Sequence, residues 1–334
     1  YLAYGIMQIP VGMLADKFGV RNVLTFAVLV CSLSTYLFAH ATGFATAFIS
    51  RVMMGFGSSF AFVCLLVIAM TWFPRKYFGF FSGASQFFGT MGPLLAGGPL
   101  VAVIEASGGN WRGPMQMAGL VGLILAALIF LVVRNKSRGG TQALIYLKHD
   151  FSFKASVIQL LKNRQAWAIA LYSGLTYAPV ALLGAIWGTQ YLEAQGLSQH
   201  MAAYMVSLAW LGYALGCPFM GVISDLSKRR RPGIIFCAVT GLISTALITY
   251  LPTQAGWVYG LLFFALGIAA AGQNIGFAAI SEQVNENMRA TALGFNNGSI
   301  TIFDTFIPPL ASYFIFLSAR GGAEHLRPSD FTVG

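Results

Sequence analysis

The sequence predicts an all-α membrane protein, and three observations support this fold class. Hydrophobic residues make up 57% of the chain and charged residues only 9%, whereas a soluble domain carries about 25% charged residues. A water-soluble fold of 334 residues could not bury that many apolar side chains, so lipid has to cover part of them. The apolar residues also fall in runs of about 20, the length that a helix needs to cross a bilayer.

Ten segments have, or nearly have, the length and composition of a membrane span. The first is short, and in chain order they are 1–14, 22–41, 44–72, 79–105, 113–134, 165–193, 199–223, 233–251, 255–281 and 289–318. The last 16 residues, from Ala319, are polar and predict no further span. Because the chain starts without Met inside an apolar stretch, we expect it to be a fragment of a longer protein.

The basic residues predict which side of the membrane each connection occupies. Sixteen of the 20 Lys and Arg residues lie in every second connection, and the positive-inside rule places those connections in the cytoplasm. The predicted cytoplasmic loops of this multi-pass protein of the plasma (inner) membrane are 15–21, 73–79, 135–164, 224–232 and 282–289. The net charge of +10 therefore reflects topology, and we expect a lipid bilayer around the chain and no nucleic-acid partner.

The longest connection, 135–164, is predicted to link two half-bundles formed by residues 1–134 and 165–334. Within it, Val157, Leu160 and Leu161 have the spacing of a short amphipathic helix at the membrane interface. A solvated linker is the alternative.

A short internal repeat supports the two halves. Gly12 and Asp16 end one predicted span, and Gly221 and Asp225 end another 209 residues further along. The same offset also relates Arg21 to Arg230. Parallel halves of this kind are a known design of membrane transporters.

The first copy of this repeat resembles the signature loop between the second and third helices of the major facilitator superfamily. Residues Gly12 to Arg21 read GMLADKFGVR, against the family pattern G-x-L-a-D-[RK]-x-G-x-[RK]. The second copy, from Gly221 to Arg231, is degenerate because Lys228 takes the place of the glycine.

Two further segments resemble motifs of the same family. The segment RVMMGFG from Arg51 is similar to the fourth-helix motif R-x-x-x-G-x-G. The segment from Gly89 is similar to the fifth-helix motif of antiporters, with both spacings shifted by one residue; its helix-packing residues are Gly89, Gly92, Pro93, Gly97 and Gly98. The resemblance implies two pseudo-repeated six-helix halves, of which this chain covers family helices 2 to 11, about ten of twelve.

The resemblance assigns the signature residues to a cytoplasmic latch. Its members are Gly12, Asp16, Lys17 and Arg21 in the first copy and Gly221, Asp225 and Arg230 in the second. Asp16 is expected to pair with a basic group or a helix N-terminus of the other half, and breaking that contact would permit inward opening. A solvated surface loop is the alternative.

Two charged residues lie inside predicted spans, away from the span ends. Asp304 is near the middle of the last span, where a carboxylate is costly and usually faces a cavity or a partner. It is therefore a candidate for proton coupling or substrate binding, with a structural hydrogen bond as the alternative. Arg51 could hold a substrate carboxylate or pair with a titrating carboxylate, or it could snorkel to the outer interface.

Other polar and aromatic residues in the spans are weaker candidates for the substrate site. They are Gln273, Asn274, Asn296, Asn297, Tyr177 and Trp187. Interhelical hydrogen bonds are the alternative role for the amides, and lipid or core packing for the aromatic residues.

The sequence contains no P-loop, no HExxH and no CxxC pattern, so we expect neither an enzyme nor a metal or cofactor site. The predicted function is a secondary active transporter that moves a small polar organic solute, an amino acid or an organic acid, by alternating access. Proton-coupled symport by a monomer is expected. Proton-antiport efflux of drugs or metabolites, or uniport, is the alternative.

Overall fold

The computed structural model describes residues 2–96, 100, 103, 104, 106–135, 153–227, 229–251, 255–285, 288–319, 329 and 331. Thirteen α-helices follow one another along these residues. They are α1 (Leu2–Phe18), α2 (Val20–Ala39), α3 (Phe44–Trp72), α4 (Phe78–Ala96), α5 (Arg112–Val132), α6 (Phe153–Lys162), α7 (Arg164–Leu182), α8 (Gly188–Ala194), α9 (Gln199–Ser227), α10 (Arg230–Tyr250), α11 (Gly256–Ala270), α12 (Gly272–Glu282) and α13 (Arg289–Ser318).

Eight of the described helices are long and apolar enough to cross a membrane, if α7 is counted with α8 and α11 with α12. Every predicted span coincides with helix, although α1 is 17 residues long and α4 is described only to Ala96. The short helix predicted in the linker is present as α6. The all-α membrane fold predicted from the sequence is therefore confirmed.

Two predicted spans are interrupted, which the hydropathy pattern did not indicate. A π-helical turn at Leu183–Trp187 separates α7 from α8, shortly after Pro179. Ala271 separates α11 from α12. Inside a membrane such interruptions are tolerated only where neighbouring groups satisfy the freed backbone atoms, and the Trp210 indole N–H does so by donating to the Gly184 carbonyl at 2.8 Å.

The contacts within the chain define two compact units. Unit 1 comprises Tyr1–Arg75, Met91–Trp167 and Ile280–Gly298, and unit 2 comprises Lys76–Thr90, Ala168–Ala279 and Ser299–Gly334.

In unit 1, α2 packs against α3 and α5, and α1 packs against α3. The core between α1, α2 and α3 includes Val11, Val23, Phe60 and Val63, all nearly inaccessible to solvent. Gly57 lets α3 approach α2, because a Cβ there would lie 2.8 Å from the Ala27 carbonyl. Small residues at such crossings matter in lipid, where close packing replaces the hydrophobic effect as the main force between helices.

In unit 2, α9 packs against α11, and α10 also packs against α11. The core contains large buried side chains such as Tyr191, Tyr259 and Phe263. Gly212 and Gly267 allow the backbones of α9 and α11 to meet, since a Cβ at either position would collide with a carbonyl of the opposite helix.

Candidate functional site

The second copy of the signature loop forms a charged contact at the end of α9. The Asp225 carboxylate accepts a hydrogen bond from the Phe80 backbone N–H at 3.2 Å and one from Arg230 at 3.0 Å. The Asp225 side chain is 6% exposed, and Arg230 also donates to the Ser224 hydroxyl at 2.7 Å. Because Phe80 lies in the first turn of α4, Asp225 satisfies an orphan N–H and faces the positive end of the helix dipole.

Glycines make this contact between α4 and α9 possible. Gly79 lies so close to Asp225 that a Cβ there would be 2.8 Å from its carboxylate oxygen, and a Cβ on Gly221 would collide with the Gly79 carbonyl. One turn further along α4, a Cβ on Gly83 would collide with the backbone of Cys217. The two helices are therefore in backbone contact over about two turns, with small residues four apart on both sides.

The first copy of the signature loop is described only in part. Gly19 has φ +80°, a left-handed conformation that glycine adopts without steric cost. Arg21 donates its backbone N–H to the Asn135 side chain at 2.9 Å and its Nε–H to the Phe130 carbonyl at 2.8 Å. Its guanidinium carbon also lies 4.0 Å from the centre of the Phe130 ring, so Arg21 caps the C-terminal end of α5.

The surroundings of three first-copy latch residues, Gly12, Asp16 and Lys17, lie outside the described part of the structure. The latch role predicted for them therefore stays a prediction.

Asn274, in the first turn of α12, joins three helices. Its amide N–H groups donate to the Gly79 carbonyl of α4 at 3.1 Å and to the Cys217 carbonyl of α9 at 3.2 Å. Its amide oxygen accepts from the Ser82 hydroxyl of α4 at 2.5 Å. Asn274 is fully buried, and we refer to Asn274, Ser82 and the carbonyls of Gly79 and Cys217 as the amide clamp.

A second buried amide contact joins α1 to α13 within unit 1. Asn297 donates to the Gln8 side-chain oxygen at 2.6 Å and to the Tyr4 hydroxyl at 3.2 Å. Gln8 in turn donates to the Tyr4 carbonyl at 3.2 Å and the Ser59 carbonyl at 3.3 Å. For Asn274 and Asn297 the structure thus shows interhelical hydrogen bonds, which the sequence analysis gave as the alternative to a role in the substrate site.

The two remaining amide candidates differ from each other. Gln273 is buried and donates to the hydroxyl of Tyr213 on α9. Asn296 is also buried, but its side-chain nitrogen and oxygen have no hydrogen-bond partner among the described residues.

Asp304 lies on the buried face of α13. Residues one turn away on that face, Ile300 and Thr301, are each 6% exposed, whereas Ile302 and Phe306 on the opposite face are more than half exposed. The Asp304 side chain itself is half-buried. Within the part of the chain that the structure describes, no hydrogen bond or ion pair engages its carboxylate.

Arg51 is exposed on α3, and its guanidinium carbon lies 4.4 Å from the centre of the Phe38 ring on α2. Cation–π contacts of this kind hold a guanidinium in place while leaving its N–H groups free to bind an anion. The position is compatible with both roles considered for Arg51, the anion contact and the snorkelling cation.

The aromatic candidates lie beside the interruption between α7 and α8. Trp187 donates to the Ser312 hydroxyl at 2.8 Å, and Tyr177 meets the Tyr213 ring edge to face at 5.7 Å. Both Trp187 and Tyr177 are half-buried. Trp210, which the sequence analysis did not single out, belongs to the same group.

The fifth-helix motif is described at Gly89 and Gly92. A Cβ at either glycine would have no described atom within 4 Å, so the structure shows no close helix contact at these two positions. The side chain of Pro93, and Gly97 and Gly98, lie outside the described residues.

Sequence reasoning missed Ser82, Gly79, Gly83 and Cys217, which contribute to the contact between α4 and α9. The spacing of four between Gly79 and Gly83 was the available signal, since small residues at that spacing mark close helix crossings. It does not reveal which helix lies opposite.

Comparison with known proteins agrees with this architecture. The profile of the Major Facilitator Superfamily matches residues 1–318. A protein of Escherichia coli (strain K12) named "Probable L-galactonate transporter" is 25% identical over 339 residues, 94% of this chain and 72% of that protein. The "Hexuronate transporter" of Bacillus subtilis (strain 168) is 26% identical over 309 residues, 88% of this chain and 72% of that protein.

A solved structure shows the same fold. The crystal structure of the Major Facilitator Superfamily transporter FucP in the outward conformation superimposes with a TM-score of 0.68. It is 18% identical in sequence, and the match covers 99% of this chain and 86% of FucP.

The profile match, which covers nearly the whole chain, together with the helical membrane architecture defines the class: the chain belongs to the Major Facilitator Superfamily. It is a multi-pass plasma-membrane protein and a secondary transporter. The family and the relatives are transporters, which agrees with the expectation that the chain is not an enzyme.

Proposed function

We propose that this chain is a monomeric symporter that moves a small organic acid together with protons, with sugar acids as the first substrates to test. The two relatives are named for L-galactonate and hexuronate, and both solutes carry a carboxylate on a sugar-derived chain. Their names favour an organic acid over an amino acid as the substrate.

The placement of Asp304 is the observation that supports proton coupling. It is the acidic residue placed in the middle of a span, on the buried face of α13, and among the described residues no cation neutralises it. A carboxylate in such surroundings can change its protonation state when its environment changes during transport. We assign it the coupling proton.

Arg51 is the proposed contact for the substrate carboxylate. It is the basic residue that lies well inside a predicted span, and a guanidinium can bind a carboxylate through two parallel hydrogen bonds. The Phe38 ring, 4.4 Å away, would orient the guanidinium.

The latch is proposed to control access from the cytoplasm. Asp225 joins the end of α9 to the start of α4, and these helices belong to different halves of the sequence repeat. Asp16 is assigned the equivalent role because it occupies the equivalent position in the first copy. Alternating access then requires each contact to break when the site opens inward.

The test uses the full-length gene in cells that lack their own uptake systems for sugar acids. Labelled aldonates, hexuronates and amino acids are supplied together, with and without a protonophore, and their accumulation is followed by mass spectrometry. Protonophore-sensitive accumulation of a sugar acid, lost in Asp304→Asn and retained in Glu193→Gln, supports the proposal. Glu193 is a suitable control because it is an exposed carboxylate at the end of α8.

Other outcomes separate the alternatives. Faster loss of preloaded compounds would indicate efflux. Accumulation of a sugar acid that ignores both the protonophore and Asp304→Asn would indicate uniport and would remove the coupling role of Asp304. Loss of uptake in Arg51→Ala but not in Asp304→Asn would keep the anion contact and reject the coupling site.

A further inference from the structure

We propose that Asn274 is an inner lock of the cytoplasmic gate, distinct from the charged latch at Asp225, and that the amide clamp must break before the transporter opens inward. This inference rests on the alternating-access mechanism of the proposed function. It gives Asn274 a gating role in place of the substrate contact for which the sequence made it a candidate.

The hydrogen bonds of Asn274 leave little capacity for a substrate. An asparagine amide has two N–H donors, and both are used, on carbonyls of α4 and α9. Its oxygen accepts from Ser82, and the side chain is fully buried. A solute could bind this amide only by displacing bonds that hold three helices together.

The clamp depends on the backbone contact between α4 and α9. The Gly79 and Cys217 carbonyls lie in helices, and a carbonyl oxygen can accept a second hydrogen bond besides the one within its own helix. Gly83 and Gly221 carry no side chain that would separate the helices, so one amide reaches both carbonyls. A larger residue at either glycine would move an acceptor out of reach.

Separation of α4 from the other two helices breaks two of the three bonds of the clamp. Gly79 and Ser82 belong to α4, whereas Cys217 belongs to α9. Movement of α4 away from α12 removes two of the three bonds at once and leaves the amide oxygen and one N–H of Asn274 without these partners. An unpaired amide within a membrane is unfavourable unless water reaches it, so opening is tied to the entry of water between these helices.

The first half of the sequence contains a related buried amide contact at the equivalent position. The repeat offset of 209 residues relates Cys217 to Gln8, and each lies eight residues before the aspartate of its latch copy. Gln8 accepts from Asn297 of α13 at 2.6 Å. In both copies a buried side-chain amide thus joins helices from different halves of the repeat, about two turns deeper than the aspartate.

The clamp differs physically from the latch. Asp225 is held by a cation and a helix N-terminus at the end of α9. Asn274 carries no charge and does not titrate. The gate therefore combines an outer contact between charged groups with an inner contact of neutral hydrogen bonds that responds to hydration.

The test measures the distance between the cytoplasmic ends of α4 and α9 in the full-length protein. Native cysteines are replaced by alanine, spin labels are attached at Lys76→Cys and Arg229→Cys, both exposed positions of unit 2, and distances are recorded by double electron–electron resonance in nanodiscs. Asn274→Ala should raise the ratio of separated to close pairs about tenfold, as expected for the loss of two or three interhelical hydrogen bonds. Ser82→Ala, which removes one bond, should raise it about threefold.

Thr245→Val is the control, because the Thr245 hydroxyl is also buried in unit 2 but has no hydrogen-bond partner among the described residues. Equal distance distributions in Asn274→Ala and Thr245→Val would overturn the lock. If Asn274→Ala does not yield folded protein, Ser82→Ala decides by the same criterion. The measurement needs no substrate: a shifted distance without sugar-acid uptake supports the lock and rejects the proposed substrate, and uptake without a shifted distance does the reverse.

Discussion

Replacement of Asp225 by asparagine should weaken closure at the cytoplasmic end of α9. Asparagine has nearly the same volume, and its oxygen can still accept the Phe80 N–H. It removes the negative charge that now faces Arg230 at 3.0 Å and the first turn of α4. The substitution therefore isolates the electrostatic part of the contact.

The magnitude follows from the two interactions with α4 that lose the charge, the Phe80 hydrogen bond and the contact with the helix N-terminus, because the Asp225–Arg230 pair does not join α9 to α4. A hydrogen bond to a charged group contributes about 1.5–3 kcal/mol, and a charge at a helix N-terminus contributes about 0.3–1 kcal/mol. Asparagine keeps weaker neutral versions of both, so we expect a net loss of about 2 kcal/mol. At about 1.4 kcal/mol for each factor of ten, the ratio of open to closed cytoplasmic ends should rise about 30-fold.

The assay is the alkylation rate of a cysteine at position 78, in a background without native cysteines. Phe78 is 6% exposed and begins α4, so a thiol there becomes reactive when α4 leaves α9. An impermeant reagent is applied to inside-out vesicles, and Glu193→Gln serves as the charge-matched control. An alkylation rate in Asp225→Asn that equals the control rate would refute the assignment of Asp225 as a latch.

Three further substitutions test separate parts of the argument. Gly83→Val should push α4 away from α9, because a Cβ at position 83 collides with the Cys217 backbone. It should therefore give faster alkylation at position 78 or a lower melting temperature. Gly43→Ala is the control and should change neither, because Gly43 has open space around it. Asn135→Ala removes the acceptor of the Arg21 N–H and should lower stability by about 1 kcal/mol, measured by thermal unfolding in detergent, with an unchanged midpoint arguing against the cap. Gln8→Leu removes the acceptor of Asn297 and should raise alkylation of a cysteine in the cytoplasmic half of α13, whereas unchanged reactivity would confine the inner lock to Asn274.

The glycines of the contact between α4 and α9 show how far the sequence can be interpreted. Gly221 was predicted as a latch residue from its place in the repeat, and the structure places it against Gly79. Gly79 itself lies in an ordinary-looking apolar run, and nothing local to it specifies the partner helix. The spacing of small residues predicts a close crossing, while the identity of the crossing helix depends on contacts about 140 residues apart in the chain.

The buried amides illustrate the same limit for the candidate site. Gln273, Asn274, Asn296 and Asn297 were equivalent in the sequence, as polar residues within apolar segments. The structure separates them: Asn274 and Asn297 hold other helices, Gln273 holds Tyr213, and Asn296 has no partner among the described residues. That difference arises from the rotation of each helix about its axis, which a short polar pattern does not determine.

The sequence by itself determined the membrane class, the order of the spans and the family, and it predicted the orientation of the spans. These properties depend on the length of apolar runs, the position of basic residues and short local motifs, all of which act within one segment at a time. The tertiary structure alone decided that Asp225 caps α4, that Arg21 caps α5, that α7 and α11 are interrupted, and that Asn274 joins three helices. Those features depend on which helix lies opposite, because in lipid a polar side chain is stabilised by whichever buried partner it meets.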